Sequence, residues 1–578
     1  MSVTRPARVR AAPARLYEEQ ESMFALATAS AAEASARSFL YQDEDGGDEN
    51  DEESEEEEEK GDDLKANIET REWSTNYSGT PPHPFRRSQP SLPIPDACTT
   101  PLDFFHLFCT ETFVEHVVRF TNAYGEERAV DDEAPRATRA TATAAADSWQ
   151  DTNVREIKAL FGCLIYMGIV CLTDVHDYWA RDTLQSFVAD TFTRDRFLTL
   201  LRRLRFNTRS YAEAADRDPL HPFALLTQQI LRANLLYFTP GRWVVVDEAM
   251  VGFKGRSYMI QHIATKAEDT GFKVWMLVDC ESGFVVAFDI YTGAKRKARE
   301  ENASANVVLK LAAFGLKQPH HVIVMDNYFS SVYLFRKLLQ SKQYAIGTTQ
   351  SKRKHFPKHL FKPCERRGEF QWRAHREETQ LTAYVWEDKK SVHFLSSCTN
   401  PEAHAEVERR EGAAVKKVTC PKVVPDYIQY MRGVDLFSQR RSYSKVGRKS
   451  RKYFYALIWY LVDVAIHNAY ILWQTKHNRK NYNQKDFRKE LMRQLVGTYT
   501  GRHKAASKLK RPHDALHRIV HAERAGSCQQ CRKKVGRGSH NARSVWRCGD
   551  CDVFLCMPDC YNKHIQALVQ EIEHTVDE

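Results

Sequence analysis

A short run of β-branched residues that stops on two carboxylates constrains the fold of this chain more than any other feature. Residues 243–246 are apolar and are followed by Asp247 and Glu248, which is the pattern of a buried strand with polar chemistry at its end. Residues 321–325 form a second such run, which ends on Asp326. If these two strands pair, Asp247 and Asp326 lie side by side. The pattern therefore predicts an α/β core with carboxylates at one edge of its sheet.

Carboxylates in such a position suit a hard metal ion. Two-metal phosphoryl transfer needs several carboxylates that converge on ions about 3.5–4 Å apart, and Mg2+ prefers oxygen ligands. Asp247 and Asp326 are placed for this role. An aspartate at a strand end also often caps a helix or starts a turn, so the spacing by itself leaves both interpretations open.

Charge is unevenly distributed along the 578 residues. Residues 43–63 hold fifteen acidic residues and Lys60, although the whole chain carries a net charge of +9. The remainder therefore has 83 lysines and arginines against 60 acidic residues. This basic balance suits a polyanionic partner, although a solvated surface has the same composition. The acidic block would then either cover the basic surface or act as a solubility tail.

Residues 453–473 form one long apolar stretch with helical character. Its length invites a transmembrane interpretation, but Asp463, His467 and Asn468 lie in its middle. Charged groups there would cost roughly 2.5–3.5 kcal/mol each in a bilayer. The sequence therefore favours a buried helix in a large helical domain, and no membrane partner is expected.

Three groups of residues, in the right order, resemble the signatures of piggyBac-type DNA transposases. Residues 247–256 (DEAMVGFKGR), continued by Lys266, Gly271-Phe272-Lys273-Val274-Trp275 and Tyr291-Thr292-Gly293, resemble the first. Residues 326–331 (DNYFSS) resemble the second, and residues 432–435 (RGVD) resemble the third, with Asn468-Ala469-Tyr470 following. The resemblance extends from about Pro101 to the C-terminus.

The resemblance implies a fold and a domain order. It implies an RNase H-like core with a β-rich insertion, flanked by an all-α dimerisation and DNA-binding domain and followed by a C-terminal cross-brace zinc finger. The expected order begins with a disordered arm over 1–100, a helical domain over 101–240 and the core over 241–350. It continues with the insertion over 351–425, core over 426–456, helical domain over 457–500, a basic linker over 501–525 and a cysteine-rich domain over 526–578.

The same resemblance implies an activity. A piggyBac-type enzyme is a cut-and-paste DNA transposase of the DDD type: it nicks transposon ends, forms hairpin intermediates and joins the ends at TTAA targets. Carried over residue by residue, the catalytic triad that holds two Mg2+ ions falls on Asp247, Asp326 and Asp435. The implied partners are double-stranded DNA, with terminal inverted repeats and a TTAA target, and a second copy of the chain. The implied compartment is the nucleus.

Two positions depart from the family pattern. Ser438 stands where the family often has an accessory aspartate three residues after the third catalytic one, which puts the rate in doubt more than the chemistry. Tyr453 stands where the family often has a tryptophan after a basic run. A tyrosine can still stack on a base, but packing within a helix explains it equally well.

Basic residues near the core are candidates for contacts with DNA phosphates. Each by itself is equally explained as an exposed charge, whereas together they fit a surface that grips the backbone. The DNA-binding candidates are Lys254, Arg256, Lys266, Lys295, Asn327, Arg448, Arg451 and Tyr453.

Six of the fourteen cysteines lie between Cys528 and Cys560, in a spacing typical of zinc sites. The set comprises Cys528, Cys531, Cys548, Cys551, Cys556, Cys560 and His564. Seven ligands nearly serve two Zn2+ ions, and the eighth is His540, His574 or absent. The other eight cysteines are scattered, which is typical of free thiols in a reducing compartment. A RING or plant-homeodomain-like module that binds proteins has a similar spacing.

Two alternatives to an active transposase stay open from the sequence. One is a domesticated piggyBac-derived protein that binds DNA and does not cut it, because a host gene can keep an intact triad. The other is a chromatin or ubiquitin-pathway adaptor that acts through its zinc tail.

We expect nuclear import to depend on a split basic cluster in the 501–525 linker, a composition that import receptors read. Its residues are Arg502, Lys504, Lys508, Lys510 and Arg511. Changing all five to alanine should leave a fluorescently tagged chain largely in the cytoplasm, as measured by microscopy beside the unchanged chain. Nuclear fluorescence equal to that of the unchanged chain would contradict the expectation and leave a DNA-contacting or merely solvated linker.

Overall fold

A computed structural model describes most of the chain. The described residues are 69–133, 149–207, 218–264, 266–293, 302–412, 414–447, 450–479, 482–501, 519–528, 531, 543–548, 553–556 and 560. The acidic block and the predicted import cluster lie outside them. The chain divides into two compact units, residues 1–501 and 502–578, and each is described by itself.

The centre of the first unit is a ten-stranded mixed sheet. Its strands are β1 (Trp73–Ser74), β2 (Trp243–Gly252), β3 (Ile260–His262), β4 (Thr270–Asp279), β5 (Val285–Ile290), β6 (Val322–Met325), β7 (Tyr344–Thr349), β8 (Phe370–His375), β9 (Thr382–Glu387) and β10 (Ser391–Ser396). The spatial order is β1-β8-β9-β10-β7-β6-β2-β4-β3, and β5 also pairs with β4. Only β2–β6 and β6–β7 pair in parallel among the described strands.

The apolar runs predicted from the sequence form the middle of this sheet. Residues Val244, Val245 and Val246 of β2 are fully buried, as are all four residues of β6. Burial on both faces explains why these strands read as continuous apolar runs without alternation. The sheet core therefore lies where the sequence places it.

Helices surround the sheet. They are α1 (Pro101–His106), α2 (Glu111–Glu133), α3 (Val154–Ile169), α4 (Ser186–Thr191), α5 (Arg194–Arg203), α6 (Ala224–Tyr237), α7 (Ala303–Gly315), α8 (Val332–Gln340), α9 (Val423–Tyr430), α10 (Gly433–Ser442), α11 (Tyr453–His477) and α12 (Gln484–Val496). Short 3-10 turns occur at His176–Tyr178, His221–Phe223 and Lys358–Leu360. The first six helices precede β2, as predicted for residues 101–240.

The strands of the expected insertion extend the main sheet. Strand β10 pairs antiparallel with β7, and β9 and β8 follow outward. A separate hairpin consists of β11 (His404–Glu411) and β12 (Ala414–Pro421). Strands β8, β9 and β10 of the expected insertion therefore continue the core sheet, and β7 has a neighbour on both sides.

The predicted disorder of residues 1–100 does not hold for residues 69–100. Strand β1 adds to the edge of β8, and Trp73 is 1% exposed, with its indole N–H donating to the His355 carbonyl at 3.1 Å. Farther along, the Leu92 N–H donates to the Leu236 carbonyl at 2.8 Å. Strand addition and the buried Trp73 ring anchor this segment. The low overall hydrophobicity of residues 1–100 gives no sign of these two local contacts, which is why the sequence predicted disorder.

Helix α11 is the centre of the helical part. Among the described residues it is the single helix long and apolar enough to cross a membrane, and 94% of its apolar window is buried inside the protein. Asp463 pairs with Arg488 at 2.8 Å and with Arg441 at 3.1 Å. The Asn468 amide donates to the Val285 carbonyl and accepts from the Val285 N–H. These polar groups therefore join α11 to α10, α12 and β5, as expected for a buried helix.

The second unit contains a three-stranded antiparallel sheet. Its strands are β13 (Ile519–Ser527), β14 (Arg543–Cys548) and β15 (Val553–Phe554). Their order is β13-β14-β15. Cys528 directly follows β13, and Cys548 ends β14. The sheet thus presents cysteines at the ends of its strands.

We expect Asp463→Ala to destabilise the first unit strongly. Asp463 and the side chain of Arg488 are fully buried, so removing the carboxylate leaves a buried guanidinium unpaired, at a cost of about 3–5 kcal/mol. Urea unfolding followed by circular dichroism measures the change. Glu490→Ala is the matched control on α12, because its pair with Arg493 is exposed and worth at most about 1 kcal/mol. Equal effects of the two substitutions would contradict this account of α11.

Candidate active site and metal centres

Three carboxylates meet where β2 runs past the end of β6. Asp247, Glu248 and Asp326 have carboxylate oxygens that all lie within 4.8 Å of one another. The parallel register explains this, because Val246 lies opposite Met325 and each of these two residues is followed by an aspartate. The pairing that the sequence left conditional is therefore present, and it brings Asp247 and Asp326 together.

Backbone N–H groups orient both aspartates. The Glu248 N–H donates to Asp247 Oδ1 at 2.8 Å, and the Tyr328 N–H donates to Asp326 Oδ1 at 3.0 Å. Each carboxylate is thus held by its own neighbouring backbone. Their positions follow from the local chain and do not require a bound ion.

The cluster is electrostatically strained. Asp247 is 5% exposed, and this burial, with the nearby charges of Glu248 and Asp326, raises its pKa to about 7 despite Lys266. Burial also raises the pKa of Asp326, and the Glu248 charge adds to that effect. Oxygen donors that repel one another in a buried site are the donor set that a hard divalent cation stabilises. The residues present therefore fit Mg2+.

Glu248 is the member of the cluster that the sequence did not assign. Adjacent residues of a strand point to opposite faces, so Asp247 and Glu248 should diverge. Strand β6 ends at Met325, however, and β2 continues to Gly252 with no β6 residue opposite. The longer glutamate side chain reaches the same space there. The sequence feature that could have identified Glu248 is the pair of adjacent acidic residues at the end of a buried apolar run.

Lys266 lies against this cluster. Its Nζ is 3.6 Å from Asp247 Oδ2 and 3.6 Å from Glu248 Oε1. Burial opposes a charge on this ammonium, yet the surrounding carboxylates raise its pKa. Those carboxylates belong to Asp247, Glu248, Asp435 and Asp326. Lys266, predicted as a phosphate contact, therefore neutralises carboxylates in this structure.

Asp435 is outside the group of three but close enough to act on Lys266. It lies in the first turn of α10 and is exposed. The start of α10 packs directly on β2, since a Cβ on Gly433 would lie 2.6 Å from Val245 Cγ1. Glycine therefore lets the helix bring Asp435 to the strand that carries Asp247. Its catalytic role stays a prediction.

The predicted DNA contacts have different surroundings. Lys254, Arg256, Asn327 and Arg451 are exposed, as a phosphate contact requires. Tyr453 is half-buried, and its hydroxyl donates to the Pro219 carbonyl at 2.9 Å. Its ring meets Phe272 edge-on, so the structure describes packing for this tyrosine. Lys295 and Arg448 lie outside the described residues.

Four cysteines of the second unit form a separate candidate metal centre. The sulfurs of Cys528, Cys531, Cys556 and Cys560 all lie within 4.8 Å of one another. Burial opposes ionisation of Cys528, but N–H groups of Cys531 and Cys556 lower its pKa to about 7. Four thiols, one of them easily ionised, suit tetrahedral Zn2+.

The first and third cysteine pairs therefore come together, and the cross-brace arrangement stays a prediction because it needs a second site from the remaining ligands. Cys548 is buried at the end of β14 and is not in this group of four. Cys551, His564 and the alternative eighth ligands His540 and His574 lie outside the described residues. The second zinc site stays a prediction.

The chain is similar to known proteins over most of its length. Residues 100–470 match the family model described as "Transposase IS4". The human PiggyBac transposable element-derived protein 3 is 23% identical over 479 residues, covering 79% of this chain and 74% of that protein. The human PiggyBac transposable element-derived protein 2 is 25% identical over 390 residues, covering 64% and 61%.

A solved structure has the same fold. The cryo-EM structure of a piggyBac transposase synaptic complex with hairpin DNA is 24% identical, with a TM-score of 0.61. The match covers 81% of this chain and 98% of that one. At this identity the comparison establishes the mixed α/β fold and does not transfer the activity.

We expect the cysteine tail to depend on zinc for its folding. A module of about fifty residues has too small a core to fold without metal or disulfides. The full chain should carry two zinc ions by elemental analysis, and a chelator should make residues 526–578 protease-sensitive while the first unit stays resistant. Cys531→Ser should lose about one zinc ion, whereas Cys171→Ser, at an exposed free cysteine, should lose none.

A chain with no stoichiometric zinc would refute the site. If Cys531→Ser loses zinc but binds DNA normally, the zinc site is confirmed and its role in DNA binding is contradicted. Binding of a histone peptide or a ubiquitin-conjugating enzyme by the tail would then favour an adaptor.

Proposed function

The chain belongs to the piggyBac-type Transposase IS4 family, and from that premise we propose that it is a cut-and-paste DNA transposase. It would nick transposon ends, form hairpin intermediates and join the ends at TTAA targets. The observation that carries the proposal is the convergence of Asp247, Glu248 and Asp326 within 4.8 Å. Without a cation, such a buried arrangement of like charges is unfavourable.

The order of the core strands supports an RNase H-like core. Neighbouring strands run β5, β4, β2, β6 and β7, so β2, the earliest of these five in the chain, lies in the middle, with β4 and β5 antiparallel on one side and β6 and β7 parallel on the other. Asp247 and Glu248 lie in β2 just beyond the residues that pair with β6, and Asp326 directly follows β6, so all three carboxylates lie at the carboxyl end of β6. This is the edge where ligands bind in α/β sheets, outside the carboxyl ends of parallel strands.

In the proposed mechanism Asp247 and Asp326 are the residues that would hold the divalent ions. When bound, such ions activate an attacking oxygen and stabilise a leaving one. The chain's part is to orient the aspartates through their backbone N–H partners and to bring Asp435 to the same edge through α10. Exposed Lys254 and Arg256, in the loop after β2, would hold DNA phosphates nearby.

A domesticated DNA-binding protein is the second candidate function. Two observations favour it. The human relatives carry names that describe them as transposable element-derived proteins, and Asp435 is exposed and outside the group of three carboxylates. Such a protein would keep end binding and lack cutting.

The partners and compartment belong to the same proposal. A piggyBac transposase was solved as a synaptic complex with hairpin DNA, and by analogy this chain would act on DNA as a dimer, in the nucleus. Its own terminal repeats would be identified as inverted repeats, flanked by TTAA, on either side of genomic copies of the reading frame.

We expect Asp247→Asn, Asp326→Asn and Asp435→Asn each to reduce nicking of such end DNA in Mg2+ to background. Removing a carboxylate removes a metal ligand, while end binding should persist. Asp195→Asn is the matched control, because Asp195 is exposed on α5. This variant should nick end DNA at the unchanged rate. An Asp326→Asn protein that nicks at the unchanged rate would contradict the assignment. An unchanged chain that binds ends and never nicks would establish the second candidate.

Asp247→Asn should also raise the melting temperature of the metal-free protein at pH 8. The folded carboxyl has its pKa raised to about 7, whereas in the unfolded chain it ionises at lower pH. Stability is therefore lost as the pH rises from the unfolded pKa to the folded one. The uncharged amide of Asn removes that loss, so the gain in melting temperature over the unchanged chain should be smaller at pH 4 than at pH 8. An equal gain in melting temperature at both pH values would contradict this prediction.

A further inference from the structure

We infer that Lys266 is a tethered counter-cation of the carboxylate cluster, which a divalent ion must displace, so that this lysine sets the metal affinity of the site. The inference rests on the proposed function only in taking the cluster as a metal site. It assigns Lys266 a role other than holding DNA, and it concerns ion binding rather than cutting.

The distances place the ammonium between two carboxylates. Lys266 Nζ is 3.6 Å from an oxygen of Asp247 and 3.6 Å from an oxygen of Glu248. Both distances are too long for strong direct hydrogen bonds. The ammonium therefore acts as a charge shared by the two groups, as a loosely held ion would.

The backbone of Lys266 is fixed by hydrogen bonds, whereas its long side chain can move. Its N–H donates to the Ile263 carbonyl at 3.1 Å, and the Ile263 N–H donates to the Asp269 carbonyl at 2.8 Å. These bonds close the loop between β3 and β4. The side chain is 22% exposed, which leaves it a route toward solvent. The charge is thus tethered beside the cluster but able to leave it.

An ion and the ammonium cannot share these oxygens without repulsion. Mg2+ binds carboxylate oxygens at about 2.1 Å, so an ion on Asp247 Oδ2 lies within about 5.7 Å of an ammonium 3.6 Å from the same atom. That separation is shorter than the Debye length of about 8–10 Å, and salt screens it little. Binding of a divalent ion therefore favours departure of Lys266.

The ammonium also has a benefit for the metal-free protein. It offsets repulsion among Asp247, Glu248 and Asp326, which are buried or half-buried. Removing it should therefore act in opposite directions on two measurable quantities. The metal-free fold becomes less stable, and the metal affinity becomes higher. A lysine that merely packs in its loop would not raise the affinity for an ion.

The test is a titration of the zinc-loaded full chain with Mn2+ by calorimetry, together with melting temperatures in the absence and presence of Mn2+. Lys266→Met should bind Mn2+ about tenfold more tightly, within the 10–100-fold range of effects that residues around a site have on its ion. Its metal-free melting temperature should fall, and saturating Mn2+ should remove that deficit. Lys266→Arg should resemble the unchanged chain.

Lys445→Met is the matched control. Lys445 pairs at 2.8 Å with Glu268, which lies in the β3–β4 loop that also contains Lys266, and both side chains of this pair are largely exposed. It makes the same change of charge and size without an ammonium at the cluster, so Mn2+ affinity should stay unchanged. An equal gain in Lys445→Met would overturn the inference, because the effect would then be one of net charge.

Equal or weaker Mn2+ binding by Lys266→Met would also overturn the inference, as would an unchanged chain that binds no Mn2+. If Lys266→Met does not fold, Lys266→Gln takes its place. If both are unfolded, recovery of the fold by Mn2+ supports the inference and failure to recover overturns it. If Lys266→Met binds Mn2+ more tightly as expected but the unchanged chain never nicks DNA, the role inferred for Lys266 is supported and the proposed transposase activity is contradicted.

Discussion

The parallel pairing of β2 with β6 determines where chemistry can occur in this protein. Val246 lies opposite Met325, so each strand contributes an aspartate at the same level of the sheet. A shift of one residue would send one of these side chains to the other face, because side chains alternate along a strand. Close packing of the fully buried side chains of both strands opposes such a shift, because each side chain would meet a different set of neighbours.

The surrounding helices are joined to one another and to the sheet by polar contacts within an apolar core. Asp463 binds Arg441 of α10 and Arg488 of α12, and Asn468 binds both backbone groups of Val285 in β5. Charged and amide groups of this kind tolerate little displacement when buried. Helix α11 therefore fixes the position of α10, which carries Asp435, relative to the sheet.

The carboxylate cluster opposes the stability of the fold that supports it. Like charges are held together at the end of the most buried strands, and Lys266 offsets part of their repulsion. Strain of this kind concentrates at functional sites, where surrounding structure over-determines an unfavourable arrangement. The cysteine centre would differ, because a metal bound by its thiolates would stabilise a unit whose described strands form a small sheet. The two centres would then affect folding in opposite ways.

The sequence by itself determined the apolar strands, the aspartates at their ends, the buried helix α11 and the cysteine spacing. These features are local or periodic, and each follows from residues close together in the chain. Tertiary structure alone decided that Glu248 joins the cluster, that Lys266 faces it and that Asp435 lies beside the group of three. It also decided that β10 joins β7, and that residues 69–100 add a strand to β8. Each of these depends on contacts between residues far apart in the sequence, where burial and strand ends, rather than local pattern, fix which side chains meet.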